Sequence, residues 1–353
     1  MNNINNILNR QDAAKAAFAA KVPLGVKIII LVVLVAIFLV SFALGRYPIT
    51  PVELVQTIAQ WFADPIASEE STFATVVFNI RLPRVLSVLL VGAALSVAGA
   101  SYQGMFKNPL VSPDLLGASA GAGLGACLAL LWSLPNEMVQ LFAFVGGMAA
   151  VGMAVWLNGF VKSDPILGLI LGGILVSTLF QSGTSLIKFM ADSNDKLPSI
   201  TFWLMGSFAS VTLEDFLRIL VPMAVGFAIL MFQRWKLNVL SFGDEEARSM
   251  GINTKRTRLL VIFASTLLTS SSVAIAGMVG WIGLVIPHLA RAIVGPNYRV
   301  LLPVTMAVGA GYLLIVDDIA RLAASVEIPI GILTAVLGVP FFVFIYRRNM
   351  RGW

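Results

Sequence analysis

Residues 24–45 read LGVKIIILVVLVAIFLVSFALG, a stretch holding a single charge, Lys27. A helix of about 20 such residues crosses the roughly 30 Å hydrocarbon core of a bilayer. Working outward, apolar runs recur near 84–106, 115–133, 138–161, 165–189, 214–233, 259–278, 280–295, 300–318 and 329–346, divided by short polar stretches. Over the 353 residues, 58% are hydrophobic and 12% charged, about half the charge of a soluble chain. A soluble enzyme and a nucleic-acid binder are excluded, and the fold class is an all-α polytopic membrane protein with ten transmembrane helices. The first run lacks a small-residue cleavage pattern and reads as a retained span after a cytoplasmic segment, 1–23.

Lys and Arg in short loops stay cytoplasmic. With the N-terminus inside, the inner segments collect most of the 24 basic residues, among them Lys107, Lys162, Arg234, Lys236, Arg256, Arg258, Arg347 and Arg348. Both termini are therefore placed in the cytoplasm, the tail being 347–353. The net charge of +6 reports this topology, and no nucleic-acid partner is needed to explain it. Cys127 is the single cysteine, so no intrachain disulfide can form, and the single histidine, His288, rules out a multi-histidine metal centre. No metal site or cofactor is expected.

Gly117, Gly121 and Gly125, and again Gly168 and Gly172, recur every four residues, a spacing that lets helix backbones pack closely in lipid. In the fifth span Ser177, Gln181, Thr184, Ser185 and Lys188 fall on one helical face, which predicts a polar lining for a pathway or a set of interhelical hydrogen bonds. The run Ser265, Thr266, Thr269, Ser270, Ser271 and Ser272 of the seventh span circles its helix and predicts packing. Asp317 and Asp318, with Arg321 one turn on, predict an exposed cap or ion pair at the outer end of the ninth span. His288 is expected to be packed or hydrogen-bonded.

An ion-coupled carrier working alone usually has ionisable pairs in mid-span, and none is evident here. An intramembrane enzyme would need Asp317 and Asp318 to converge deep in the bilayer. Transport energy should then come from another subunit, because the chain has no Gly-x-x-x-x-Gly-Lys-Ser/Thr phosphate loop. The longest inner loop, 234–258, offers a place to meet one. Asp244, Glu245 and Glu246 suit a helix first turn, Arg248 follows, and Gly251 suits its end. Such a two-turn helix is too short to stand alone in water, so it is expected to dock, with Leu240, Ala247, Met250 and Ile252 as apolar contacts.

Five motifs then carry a family resemblance: Arg81-Leu-Pro-Arg84, the loop from Gln103 to Gly117 containing Asn108-Pro109-Leu110, Gly243-Asp-Glu-Glu-Ala247 with Met250-Gly251, Gly283-Leu-Val-Ile-Pro-His288, and Glu327-Ile-Pro-Ile-Gly331. In this order they resemble the FecCD family, the permease subunits of type II ABC importers for iron-siderophores, haem, cobalamin and, in some branches, molybdate. The resemblance runs from about residue 24 to 346. It implies a permease dimer, expected to be a homodimer, in a bacterial or archaeal inner membrane. Two cytoplasmic ATPase subunits and a periplasmic or lipid-anchored substrate-binding protein would complete the importer. It also implies that Asp244 to Gly251 couple to the ATPases, that Arg81, Arg84 and Arg321 dock the binding protein, and that the fifth and tenth spans line the pathway. An inner gate would form at Asn108, Pro109 and Leu110. Beside it, Pro165, Ile166 and Leu167 stand near where the cobalamin importer has hydroxyl residues, so Ile166 and Leu167 imply an apolar gate. The expected substrate is a metal chelate, a ferric siderophore first.

Overall fold

The computed structural model describes residues 23–45, 47, 49–63, 71–161 and 165–349. Residues 1–22 of the segment expected at 1–23 and the last four residues of the expected tail lie outside the described residues, as do Lys162 and Asp164.

Ten helices occupy the ten apolar runs. They are α1 (Leu24–Ala43), α3 (Leu82–Met105), α4 (Ala118–Leu131), α5 (Asn136–Asn158), α6 (Pro165–Met190), α8 (Leu213–Phe242), α10 (Thr254–Ala276), α11 (Ile282–Val294), α12 (Tyr298–Leu322) and α13 (Ile330–Asn349). Among the described residues, seven helices are long and apolar enough to cross a membrane, while α4, α11 and the apolar part of α13 are shorter. Besides a single turn at Thr72–Ala74, three further helices were not evident as apolar runs or were seen only as a loop helix: α2 (Pro51–Ala63), α7 (Lys196–Met205) and α9 (Asp244–Ser249). A π-helical stretch, Thr75–Arg81, leads into α3.

Helix α8 runs nine residues past the predicted end of its apolar run. Arg234 and Lys236 lower the hydropathy there without breaking the helix, since both are good helix formers. The expected loop 234–258 is thereby reduced to α9 and its short connections. At its other end α8 starts with a reciprocal cap, in which the Thr212 hydroxyl and the Asp215 backbone and carboxylate satisfy one another.

Helices α3 and α10 are the buried centre, and α1 lies at the rim with most of its apolar side chains outward. Small residues permit the approach. A β-carbon on Gly99 of α3 would stand 1.9 Å from the Gly283 carbonyl oxygen of α11, and one on Gly125 of α4 would stand 2.0 Å from the Phe142 carbonyl oxygen of α5. In lipid, where helices gain nothing by leaving water, such backbone contact supplies the dispersion energy that holds them together. The hydroxyl run of α10 does pack: all six residues are buried, Thr266, Thr269 and Ser272 donate to carbonyls one turn back, and Ser270 abuts Gly147 of α5.

Candidate functional site: a docked surface helix, an inner loop and a braced far end

Helix α9 sits at the end of the bundle where α8 turns into α10. Gly243, its N-cap, has φ 146, and the Glu246 carboxylate folds over it to within 2.0 Å of where a β-carbon would be. Only glycine fits that turn. Gly251, at φ 77, ends the segment, with the Ile252 amide donating to the Ala247 carbonyl at 2.9 Å. Six residues would not stay helical unaided. Two contacts fix them. Ala247 is fully buried with Val239, Leu240 and Ile252, and the Arg258 guanidinium of α10 grips both Asp244 oxygens, at 2.6 and 2.7 Å.

That placement divides the expected docking residues. Ala247, Leu240 and Ile252 are spent on the chain itself, which corrects their reading as contacts for another protein. Glu245, Glu246, Arg248 and Met250 are exposed, Met250 to 56%. Beside them opens a cleft of ≈ 460 Å³ lined by Trp235, Lys236, Met250 and Arg256.

The loop after α3 lies at the same end. Lys107, in a left-handed conformation at φ 52, brings its ammonium to 3.8 Å from Asp244. Asn108 and Leu110 are exposed and Pro109 half-buried, and the Asn108 side chain accepts from the Leu110 amide at 2.9 Å. His288 of α11 donates from Nε2 to the Pro109 carbonyl at 2.9 Å, and its ring meets Phe342 of α13 edge-on. Buried Gln103 donates to the Val111 carbonyl at 3.2 Å and accepts from Arg291. Farther along, Asp114 accepts from the Ser119 hydroxyl, while burial pushes its carboxyl above the usual range. Ile166 is half-buried and Leu167 exposed. Sequence reasoning missed Lys107, Gln103, Arg258 and Arg291, whose partners lie on other helices.

On α6, Ser177 is half-buried against Gly117, while Gln181 and Ser185 are exposed and Thr184 and Lys188 half-buried. The Thr184 and Ser185 hydroxyls donate to the Phe180 and Gln181 carbonyls one turn back. On this face the Thr184 and Ser185 hydroxyl protons are thus spent on the helix itself, and Gln181 is exposed.

At the far end the expected ion pair of Asp317, Asp318 and Arg321 is present, but the arginines are buried where an exposed rim was expected. Arg81, Arg84 and Arg321 are buried, at 4, 6 and 6% exposure. Arg84 is forked onto Asp317 at 2.8–3.1 Å and onto Glu327 at 2.9–3.0 Å. Arg321 pairs with Asp318 and reaches Asp317 at 3.2 Å, and the Ser41 hydroxyl donates to Asp318 at 2.7 Å. Arg81 donates to the Phe42 and Tyr47 carbonyls. Buried charges need a counter-charge or hydrogen bonds; Arg84 and Arg321 have carboxylates and Arg81 has backbone carbonyls, and together they tie α1, α3 and α12. Asp317 and Asp318 are thus both engaged by arginines.

A helical bundle that clamps a surface helix this firmly, and spends its buried charges on its own integrity, has the build of a membrane transport subunit. Comparison with known proteins gives the family: the FecCD transport family profile matches residues 32–348, and the chain belongs to that family. It is 39% identical over 90% of its length, and 94% of the relative's, to the molybdate import system permease protein MolB of Haemophilus influenzae. It is 37% identical over 80% of its length, and 85% of the relative's, to a probable iron chelatin transport system permease protein of Helicobacter pylori. A solved structure described as an inward-facing metal-chelate type ABC transporter covers 90% of this chain and 97% of its own, with a TM-score of 0.81 at 38% identity. The chain is accordingly a multi-pass ABC importer permease.

Proposed function

We propose that this permease passes an iron complex, such as a ferric siderophore, from a substrate-binding protein into the cytoplasm, driven by two ATPase subunits docked at α9. The observation that carries the docking reading is α9 itself: its buried side is locked to α8 and α10, while Glu245, Arg248 and Met250 remain outward. A rigidly held helix transmits displacement, which a flexible loop would absorb. On this reading α9 faces the cytoplasm and two copies of the chain enclose the pathway, with α6 contributing Ser177, Gln181, Thr184, Ser185 and Lys188. Asn108, Pro109, Leu110, Ile166 and Leu167 close it on the inside. The binding protein docks at the far end, on a surface that Arg81, Arg84 and Arg321 brace from beneath.

An iron chelate is supported by the Helicobacter pylori relative, a probable iron chelatin transport system permease protein. Molybdate is the second reading, favoured by the Haemophilus influenzae relative. The test is ATP-dependent uptake into vesicles holding the whole importer with its binding protein. Accumulation of radiolabelled ferric siderophore, unaffected by excess molybdate, is expected. Uptake of molybdate alone would replace the iron assignment.

A further inference from the structure

Resting on the reading of α9 as the ATPase-docking helix, we propose that the Lys107–Asp244 ion pair transmits movement of α9 to the inner loop Asn108–Pro109–Leu110. Asp244 is the first residue of α9 and serves two cations at once. Arg258 holds it bidentately, and the oxygen it shares with Arg258 lies 3.8 Å from the Lys107 ammonium. Lys107 is the residue immediately before the loop. Its left-handed backbone marks the corner at which the chain leaves α3, with its amide donating to the Gly104 carbonyl at 3.3 Å.

The loop is pinned at its middle and at its far shoulder. His288 holds the Pro109 carbonyl, Gln103 holds the Val111 carbonyl, and Arg291 holds Gln103. A displacement of α9 swings the Lys107 corner and Asn108 about the held Pro109 carbonyl, and Leu110, exposed immediately beyond that pivot, turns with them. The side chains of Lys107 and Asp244 are 35 and 29% exposed. A pair in so much water is weak and salt-screened, and can be made and broken in each cycle. The Arg258 grip, with its guanidinium 7% exposed, keeps α9 seated meanwhile. Lys107 is thus a positioning residue: it acts on the gate through the loop and need not touch the cargo.

The test measures ATP hydrolysis and substrate uptake in the same vesicles containing the complete importer. Lys107→Gln should leave the ATPase subunits bound and lower the substrate moved per ATP by about two- to fivefold, the range a partly exposed ion pair commands. Lys107→Arg should restore the ratio, and Lys107→Glu, which turns attraction into repulsion, should lower it further than Lys107→Gln. An unchanged ratio in Lys107→Gln overturns the link. So does loss of the ATPase subunits from that variant, which would make Lys107 a docking residue. Failure of the unsubstituted chain to retain an ATPase would instead defeat the docking reading on which the link rests.

Discussion

Replacing Arg84 with methionine removes the cation that Asp317 and Glu327 share. Asp317 is fully buried and loses three hydrogen bonds of 2.8–3.1 Å, while Glu327, its side chain 26% exposed, can turn to water. Deleting one partner of a buried pair costs about 3–5 kcal/mol. The loss here should fall near the lower end, about 3 kcal/mol, because Arg321 remains 3.2 Å from Asp317 and keeps its charge partly matched. That corresponds to roughly a hundredfold change in the folded-to-unfolded ratio. The assay is SDS-titrated unfolding of the purified chain, followed by tryptophan fluorescence. Neutralising all three groups, Arg84→Met with Asp317→Asn and Glu327→Gln, should recover most of the loss, since no lone charge is left buried. If Arg84→Met unfolds within about 1 kcal/mol of the parent, the range of an exposed pair, and yet loses the binding protein, the brace is wrong and Arg84 is a docking contact.

Gly99→Ala should largely abolish folded protein, because its β-carbon would fall 1.9 Å from a backbone oxygen on α11 that has no side-chain freedom to yield; recovery from membranes by size-exclusion chromatography reads this directly. Met250→Asp and Ala247→Asp should separate two failures that look alike in a transport assay. The first, at an exposed position, should release the ATPase subunits from a chain of normal stability, whereas the second buries a carboxylate beside Leu240 and should lower the stability of the chain itself by several kcal/mol. Pull-down and SDS-titrated unfolding on the same preparations distinguish them. Gln181→Leu together with Lys188→Leu should leave folding intact, since neither side chain is buried, and reduce uptake at constant ATPase binding; unchanged uptake would remove α6 from the pathway.

The ten apolar helices were legible because hydropathy averages over twenty positions and tolerates local error. The α9 segment was legible because its charge order and Gly251 are local signals. The far-end arginines were not. Arg84 and Asp317 are 233 positions apart, and the sequence gives the cost of burying each without naming the partner that offsets it. The same blindness placed Ala247 outward, since one apolar residue in six has no periodicity from which to read a face. Helices α2 and α7 are short and moderately polar, below the level at which a hydropathy run stands out. The spacing of the α6 hydroxyls allowed a pathway lining or interhelical bonds, and only the structure reveals that Thr184 and Ser185 are bound to their own helix.

The account turns on α9 being the place where a separate ATPase attaches. Native mass spectrometry of the complex, purified in mild detergent from its own membrane, tests that most directly. The expected assembly contains two permease chains and two ATP-binding-cassette subunits, and the subunits should dissociate when Met250 is changed to Asp. A chain that travels without any nucleotide-binding subunit, yet still supports uptake, would contradict the account and identify a carrier working alone.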